Sequence, residues 1–121
     1  GETVLLVEDE EALRLLATRV LEAQGYRVLA ARHGADALAL LDAHDAPPAL
    51  VLTDLVMPTM GGRELVSALR PRWPDLPVLL MTGYTERDPA GDPALAGCDV
   101  LRKPYTAEAL GRAVRGVLAA L

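Results

Sequence analysis

Phenylalanine is absent from this chain, and Trp and Tyr together bring the aromatic content to only 3%. Any core must therefore be built from Leu, Val and Ala. Cysteine occurs once, as Cys98, which excludes an internal disulfide and a cysteine-based zinc site and fits a reducing cytosol. Basic residues are in deficit: 12 Lys and Arg against 17 Asp and Glu leave a net charge of −5 and a pI near 4.9. That balance argues against direct nucleic-acid binding, which wants a basic stripe, and against an anionic membrane surface. No apolar run approaches the roughly 20 residues of a membrane span, and no signal peptide is visible. The glycine-rich fingerprints GxGxxG and GxxxxGK[ST] are both missing, so dinucleotide and P-loop nucleotide binding have no motif here. There is no internal repeat, linker or low-complexity tract.

What is there is a chain of 121 residues, 51% of them hydrophobic, which suits one folded domain, residues 1–121, with a real core. Position 1 is Gly rather than Met, which reads as an excised piece or a tag remnant of a longer protein.

Five short apolar runs stand out. Thr3–Val7, Leu50–Thr53 and Pro77–Met81 have the unalternating aliphatic pattern of strands buried on both faces. Arg27–Ala31 is weaker and suits an edge, and Asp99–Arg102 is short. Between them lie amphipathic segments. Glu10–Gln24 places Leu13, Leu16, Ala17 and Val20 on one helical face and stops at Gly25. Gly34–Ala43 turns Ala37, Leu38 and Leu41 inward, and Gly62–Arg70 does so with Leu65, Val66 and Leu69 before Pro71 and Pro74. Asp45–Pro48 reads as a loop. Thr106 is an N-cap for a last helix with Leu110, Val114, Val117, Leu118 and Leu121 on its buried face. Tyr84–Gly97, with Pro89, Gly91, Pro93 and Gly97, supports only a short or irregular helix. The alternation of strands and helices points to a parallel sheet covered on both faces.

The polar residues that follow the strands carry the functional signal. The first strand ends in Glu8 and Asp9, the third in Asp54, the fourth in Thr82 and the fifth in Lys103. In a parallel sheet these ends share one edge, where α/β proteins place their chemistry. Three crowded carboxylates repel one another unless a cation sits among them, and hard oxygen ligands suit Mg²⁺, which can neutralise phosphate oxygens. A lysine and a hydroxyl facing that metal complement a phosphoryl group. Asp54 can then act as nucleophile and carry an acyl phosphate. Glu10 and Glu11 favour a helix N-terminus. His33 and His44 read as loop or helix-end residues, Cys98 as a small apolar one, and Trp73 and Tyr105 as packing residues.

Over essentially its whole length the chain resembles the receiver domain of bacterial two-component response regulators. Glu8-Asp9 is similar to the family's acidic pair, and Asp54 through Gly62 to its phosphoacceptor loop. Thr82-Gly83 resembles its switch hydroxyl and small neighbour, and Lys103-Pro104 its lysine–proline pair. The resemblance implies a flavodoxin-like, doubly wound α/β fold: a five-stranded parallel sheet of order 2-1-3-4-5 with helices on both faces. It implies that Asp54 takes a phosphoryl group from a phosphohistidine of a histidine kinase or histidine phosphotransfer domain. Glu8, Asp9, Asp54 and the backbone carbonyl of Val56 would hold Mg²⁺, Lys103 would pair with the phosphoryl oxygens, and Thr82 would move in as the switch. The Lys103–Pro104 bond would be cis. The domain would be a cytoplasmic phosphoacceptor module that phosphorylates and dephosphorylates itself rather than an enzyme.

Two departures bear on its output. Val100 stands where many relatives carry an aromatic switch, leaving Tyr84 and Tyr105 as the nearby rings. The broken fourth helix also weakens a dimer face used by transcription-factor receivers, so a monomer or weak dimer is expected. The pair MTGYT and KPYT resembles receivers of hybrid sensor histidine kinases. A response regulator with a separate transcription output is the alternative. A haloacid-dehalogenase-type phosphohydrolase fits less well, because that class needs an acid two residues after the nucleophile and Val56 stands there. A degenerate receiver serving only as a binding surface would not need all five key positions filled.

Overall fold

The computed structural model describes residues 2–44, 46–83 and 89–120. The elements run β1 (Thr3–Val7), α1 (Glu11–Ala23), β2 (Arg27–Ala31), α2 (Gly34–Asp42), β3 (Leu50–Asp54), α3 (Gly62–Leu69), β4 (Val78–Thr82), β5 (Asp99–Arg102) and α4 (Ala107–Ala119). The strands form one parallel sheet in the order β2-β1-β3-β4-β5, the doubly wound arrangement that the receiver resemblance implies. β3 and β4 are buried at every position, as their aliphatic runs require. β4 begins one residue later than Pro77, which has no N–H for the ladder, although the Pro77 carbonyl still accepts from Val51 N–H at 3.0 Å.

Alternation along the strands divides the core into two layers. Leu5, Val7, Val51, Val78 and Leu80 face α2 and α3, meeting Ala37, Leu41, Leu65, Val66 and Leu69. Val4, Leu6, Leu50, Leu52, Leu79 and Met81 face α1 and α4, meeting Ala17, Leu21, Leu110 and Val114. Leu16 departs from the expected inward face of α1: it is 52% exposed, and Leu21 takes its place in the core. The reason lies in the width of the stripe. A helix that covers half of one sheet face buries a narrow strip, here centred on Ala17 and Leu21, and Leu16 falls to the side of it.

The ends of the helices follow the expected chemistry. Gly25 adopts φ +94° just past α1, a left-handed conformation that only glycine takes without cost. The Thr106 hydroxyl accepts from Ala109 N–H and caps α4. His33 caps α2 through its ring nitrogen, which accepts from Asp36 N–H, and the exposed His44 ring contacts the Leu40 carbonyl. Val117 and Leu118 are partly buried against the second layer. Trp73 packs on the first layer with the Arg72 guanidinium 4.4 Å above its ring. Where a full helix would follow β4, the described part holds only two 3₁₀ turns, Pro89–Gly91 and Pro93–Leu95. Two prolines four residues apart cannot both sit inside an α-helix. Tyr84, Asp45 and Leu121 lie outside the described residues.

Candidate functional site

The carboxyl ends of β1, β3, β4 and β5 bring the sequence-selected residues together. Glu8 follows directly on β1 and is fully buried; Asp54 is the last residue of β3 and 3% exposed; Thr82 is the last residue of β4 and also buried. Asp9 is exposed beside them. Ligand oxygens of Glu8, Asp9 and Asp54 all lie within 4.8 Å of one another. Lys103, just past β5, reaches back over the sheet edge. Its Nζ lies 2.6 Å from Asp54 Oδ1 and donates to Glu8 Oε1 at 3.0 Å. The Lys103–Pro104 peptide is cis.

The loop after Asp54 is held closely. Gly62 N–H donates to the Leu55 carbonyl at 2.9 Å, and Gly34 N–H, at the start of α2, donates to the Met60 carbonyl at 3.0 Å. A Cβ at Gly62 would come within 2.5 Å of the Asp54 carbonyl oxygen, so no other residue fits without displacing the end of β3. Met57 turns into the core, whereas Val56 is 62% exposed.

Satisfaction of the polar atoms is uneven. Glu8 is anchored from several sides, but neither Asp54 carboxylate oxygen nor the Thr82 hydroxyl has a well-directed hydrogen bond among the described residues. Buried polar groups are rarely left so, and the cost is tolerated where a ligand completes the set. Burial and then the neighbouring Glu8 carboxylate push the Asp54 carboxyl up to about 9, against the pull of Lys103. For Glu8, burial works in the same direction, but the nearby Asp54 carboxyl, Lys103 ammonium and Glu10 N–H outweigh it and hold its pKa below the ordinary range. Burial alone would lower the Lys103 ammonium, yet its pairing with the Asp54 and Glu8 carboxyls prevails and raises it. Burial and the Glu8 neighbour thus favour a retained proton at Asp54 while the cluster holds no metal. A divalent cation would displace that proton, and three carboxylates with an unsatisfied oxygen are a fitting donor set for hard Mg²⁺.

Sequence reading missed two contributors. Thr53, buried, donates its hydroxyl to the Asp54 carbonyl at 3.0 Å. Arg14, on α1, donates from Nη1 to the Glu8 carbonyl at 2.9 Å. Both act on backbone atoms, which side-chain patterns do not report. Tyr105 is half-buried and packs on the second core layer. Burial and the nearby Glu8 charge raise its phenol pKa. Cys98 packs at the margin of the first layer, and burial raises its thiol pKa.

Comparison with known proteins gives the family and the fold. Residues 4–115 match the family described as response regulator receiver domain. The sensor kinase CckA of Brucella abortus is 38% identical over 117 residues, covering 96% of this chain and 12% of that protein. The response regulator protein FleR of Pseudomonas aeruginosa is 43% identical over 108 residues, covering 88% of this chain and 22% of that protein. The chain therefore spans only a minor part of each of these relatives. Among solved structures, the chemotaxis protein CheY4 of Vibrio cholerae superposes with a TM-score of 0.84 at 30% identity, covering 96% of this chain and 98% of that one.

Proposed function

The chain belongs to the response regulator receiver domain family, and on that premise we propose that Asp54 is its phosphoacceptor in a two-component phosphorelay. A carboxylate oxygen of Asp54 attacks the phosphorus of a phosphohistidine on a histidine kinase or histidine phosphotransfer domain. The P–N bond breaks, the P–O bond of an acyl phosphate forms, and the imidazole leaves with its electron pair and takes up a proton. The observation that carries this reading is the buried Asp54 carboxylate without a directed hydrogen bond, beside Lys103 at 2.6 Å.

Glu8, Asp9, Asp54 and the Val56 backbone carbonyl would hold Mg²⁺, and the mutual approach of the three carboxylates within 4.8 Å supports that set. Bound there, Mg²⁺ supplies the charge that offsets the phosphoryl oxygens. Lys103 is close enough to exchange its carboxylate partners for those oxygens. The Thr82 hydroxyl, without a hydrogen-bond partner among the described residues, has a hydrogen bond to give to the phosphorylated side chain. A gain of about −1.5 to −2 charges at Asp54 then biases the Thr82 and Lys103 side of the domain. Slow self-dephosphorylation resets it.

The parent protein is read as a hybrid sensor kinase, which the identity with CckA supports; the identity with FleR favours, as second reading, a response regulator with its own output domain. In either setting, residues 1–121 act as one cytoplasmic, acidic module without nucleic-acid or membrane contact of its own, monomeric or weakly dimeric. Among the described residues no helix is long and apolar enough to cross a membrane.

The test is incubation with Mg²⁺ and a small-molecule phosphodonor, followed by intact-mass and peptide mass spectrometry. A stoichiometric, base-labile phosphate on Asp54, absent from Asp54→Ala, is expected. Multiple turnover of an external phosphorylated metabolite other than the donor, or no adduct on a folded chain, would overturn the reading.

A further inference from the structure

Glu8 is held at four separate atoms. Its N–H donates to the Ala31 carbonyl at 3.0 Å, Oε1 accepts from Lys103 Nζ at 3.0 Å, and Oε2 accepts from Glu10 N–H at 3.1 Å. The fourth contact is the Arg14 guanidinium, donating to the Glu8 carbonyl oxygen at 2.9 Å. That carbonyl belongs to the peptide joining Glu8 to Asp9. Holding it fixes ψ of Glu8 and φ of Asp9, and so the directions in which the two acidic side chains leave the turn. Glu8 has three other anchors, whereas Asp9 is exposed and depends on this peptide for its aim. Arg14 is itself seated: its N–H donates to the Glu10 carbonyl at 2.9 Å, and the Thr18 hydroxyl donates to the Arg14 carbonyl at 2.8 Å.

Charge alone gives no reason for a guanidinium here. A fixed cation beside a cation-binding cluster repels the metal, so Coulomb attraction and repulsion count against Arg14. Its geometry counts for it, because partners outside the ligand set orient the ligands and tune affinity. We propose that Arg14 is a positioning residue for Mg²⁺ capture, clamping the Glu8–Asp9 peptide so that both carboxylates face Asp54. This inference rests on the metal reading above.

The two accounts differ in sign, which makes the test decisive. Mg²⁺ alone is titrated calorimetrically into the wild-type chain, Arg14→Met and Arg14→Lys, with far-UV circular dichroism checking that each is folded. The clamp predicts that Arg14→Met weakens Mg²⁺ binding about 10- to 100-fold. Arg14→Lys, which keeps the charge and one donor, should recover part of the loss. Equal or tighter binding by Arg14→Met overturns the clamp, as simple charge removal would then explain the result. So does an Arg14→Lys variant as weak as Arg14→Met. If Arg14→Met does not fold, Arg14→Gln, neutral but still a donor, replaces it: binding weaker than wild type supports the clamp, and equal or tighter binding overturns it. A wild type that takes up no Mg²⁺ overturns the metal reading and the clamp with it, whereas a wild type that binds while the Met variant binds equally removes the clamp alone.

Discussion

Replacing Asp54 by Asn should make the metal-free protein more stable, and increasingly so as pH rises. Asp54 is 3% exposed, stands against the buried Glu8 and shares one lysine with it. Its carboxyl is pushed up to about 9 from an ordinary 3.8. A raised carboxyl contributes stability that is complete below its unfolded value and lost as pH climbs towards its folded value. Between those limits the unfolded chain has released a proton that the folded chain retains, so stability falls by up to about 1.4 kcal/mol per pH unit. Glu8 behaves oppositely: its lowered pKa gives stability that is present above its unfolded value and lost on acidification. From pH 5.5 upward the Glu8 contribution is therefore constant. Over pH 5.5 to 8, the gap between Asp54→Asn and wild type should widen by about 2 kcal/mol, discounting the full slope for coupling within the pair. The assay is urea unfolding in EDTA, followed by Trp73 fluorescence, the chain's single tryptophan. Saturating Mg²⁺ should then close the gap, adding about 2.7 kcal/mol to wild type at 100 times its dissociation constant and less to the variant. A gap that is flat with pH in EDTA, or that narrows, would refute the raised Asp54 pKa on which this reasoning rests.

Three further outcomes are expected. Lys103→Met leaves Glu8 and Asp54 without their cation and should cost about 3 kcal/mol in EDTA at pH 8, most of it restored by Mg²⁺ in the same urea titration. Thr82→Ala removes a buried hydroxyl without a directed partner among the described residues, so it should change metal-free stability by less than about 1 kcal/mol. Its effect should appear only in the phosphorylated form, as a loss of the chemical-shift changes around β4 on addition of beryllofluoride. Gly62→Ala forces a methyl against the Asp54 carbonyl oxygen, with only 2.5 Å available; about 1–3 kcal/mol of destabilisation together with slower phosphodonor uptake is expected from unfolding and mass-spectrometric time courses.

Most of the framework was legible in the sequence because strong signals coincided. Thr3–Val7, Arg27–Ala31 and Asp99–Arg102 form strands over the expected residues, since aliphatic runs bounded by charge or glycine leave little choice. Thr106 caps its helix for the local reason that made it recognisable. The prolines at 89 and 93 were correctly incompatible with a full helix. Legibility failed where packing or backbone geometry decides. Leu16 satisfies the helical period but lies beyond the strip that the sheet covers. Arg14 looks like one more solvated charge on α1, because its partner is a carbonyl rather than a complementary side chain. The raised Asp54 pKa depends on how deeply that carboxyl is buried beside Glu8, and that is a property of three dimensions.

Lys103 and Glu8 touch although 95 residues separate them. The site therefore spans nearly the whole chain, closing only when the last strand settles beside the fourth. During synthesis the acidic pair emerges long before the lysine, so no nascent or partly melted copy of the domain holds a complete set of groups. Completion of the fold and completion of the site are thereby one event, with no partial site left standing when the edge strand comes away.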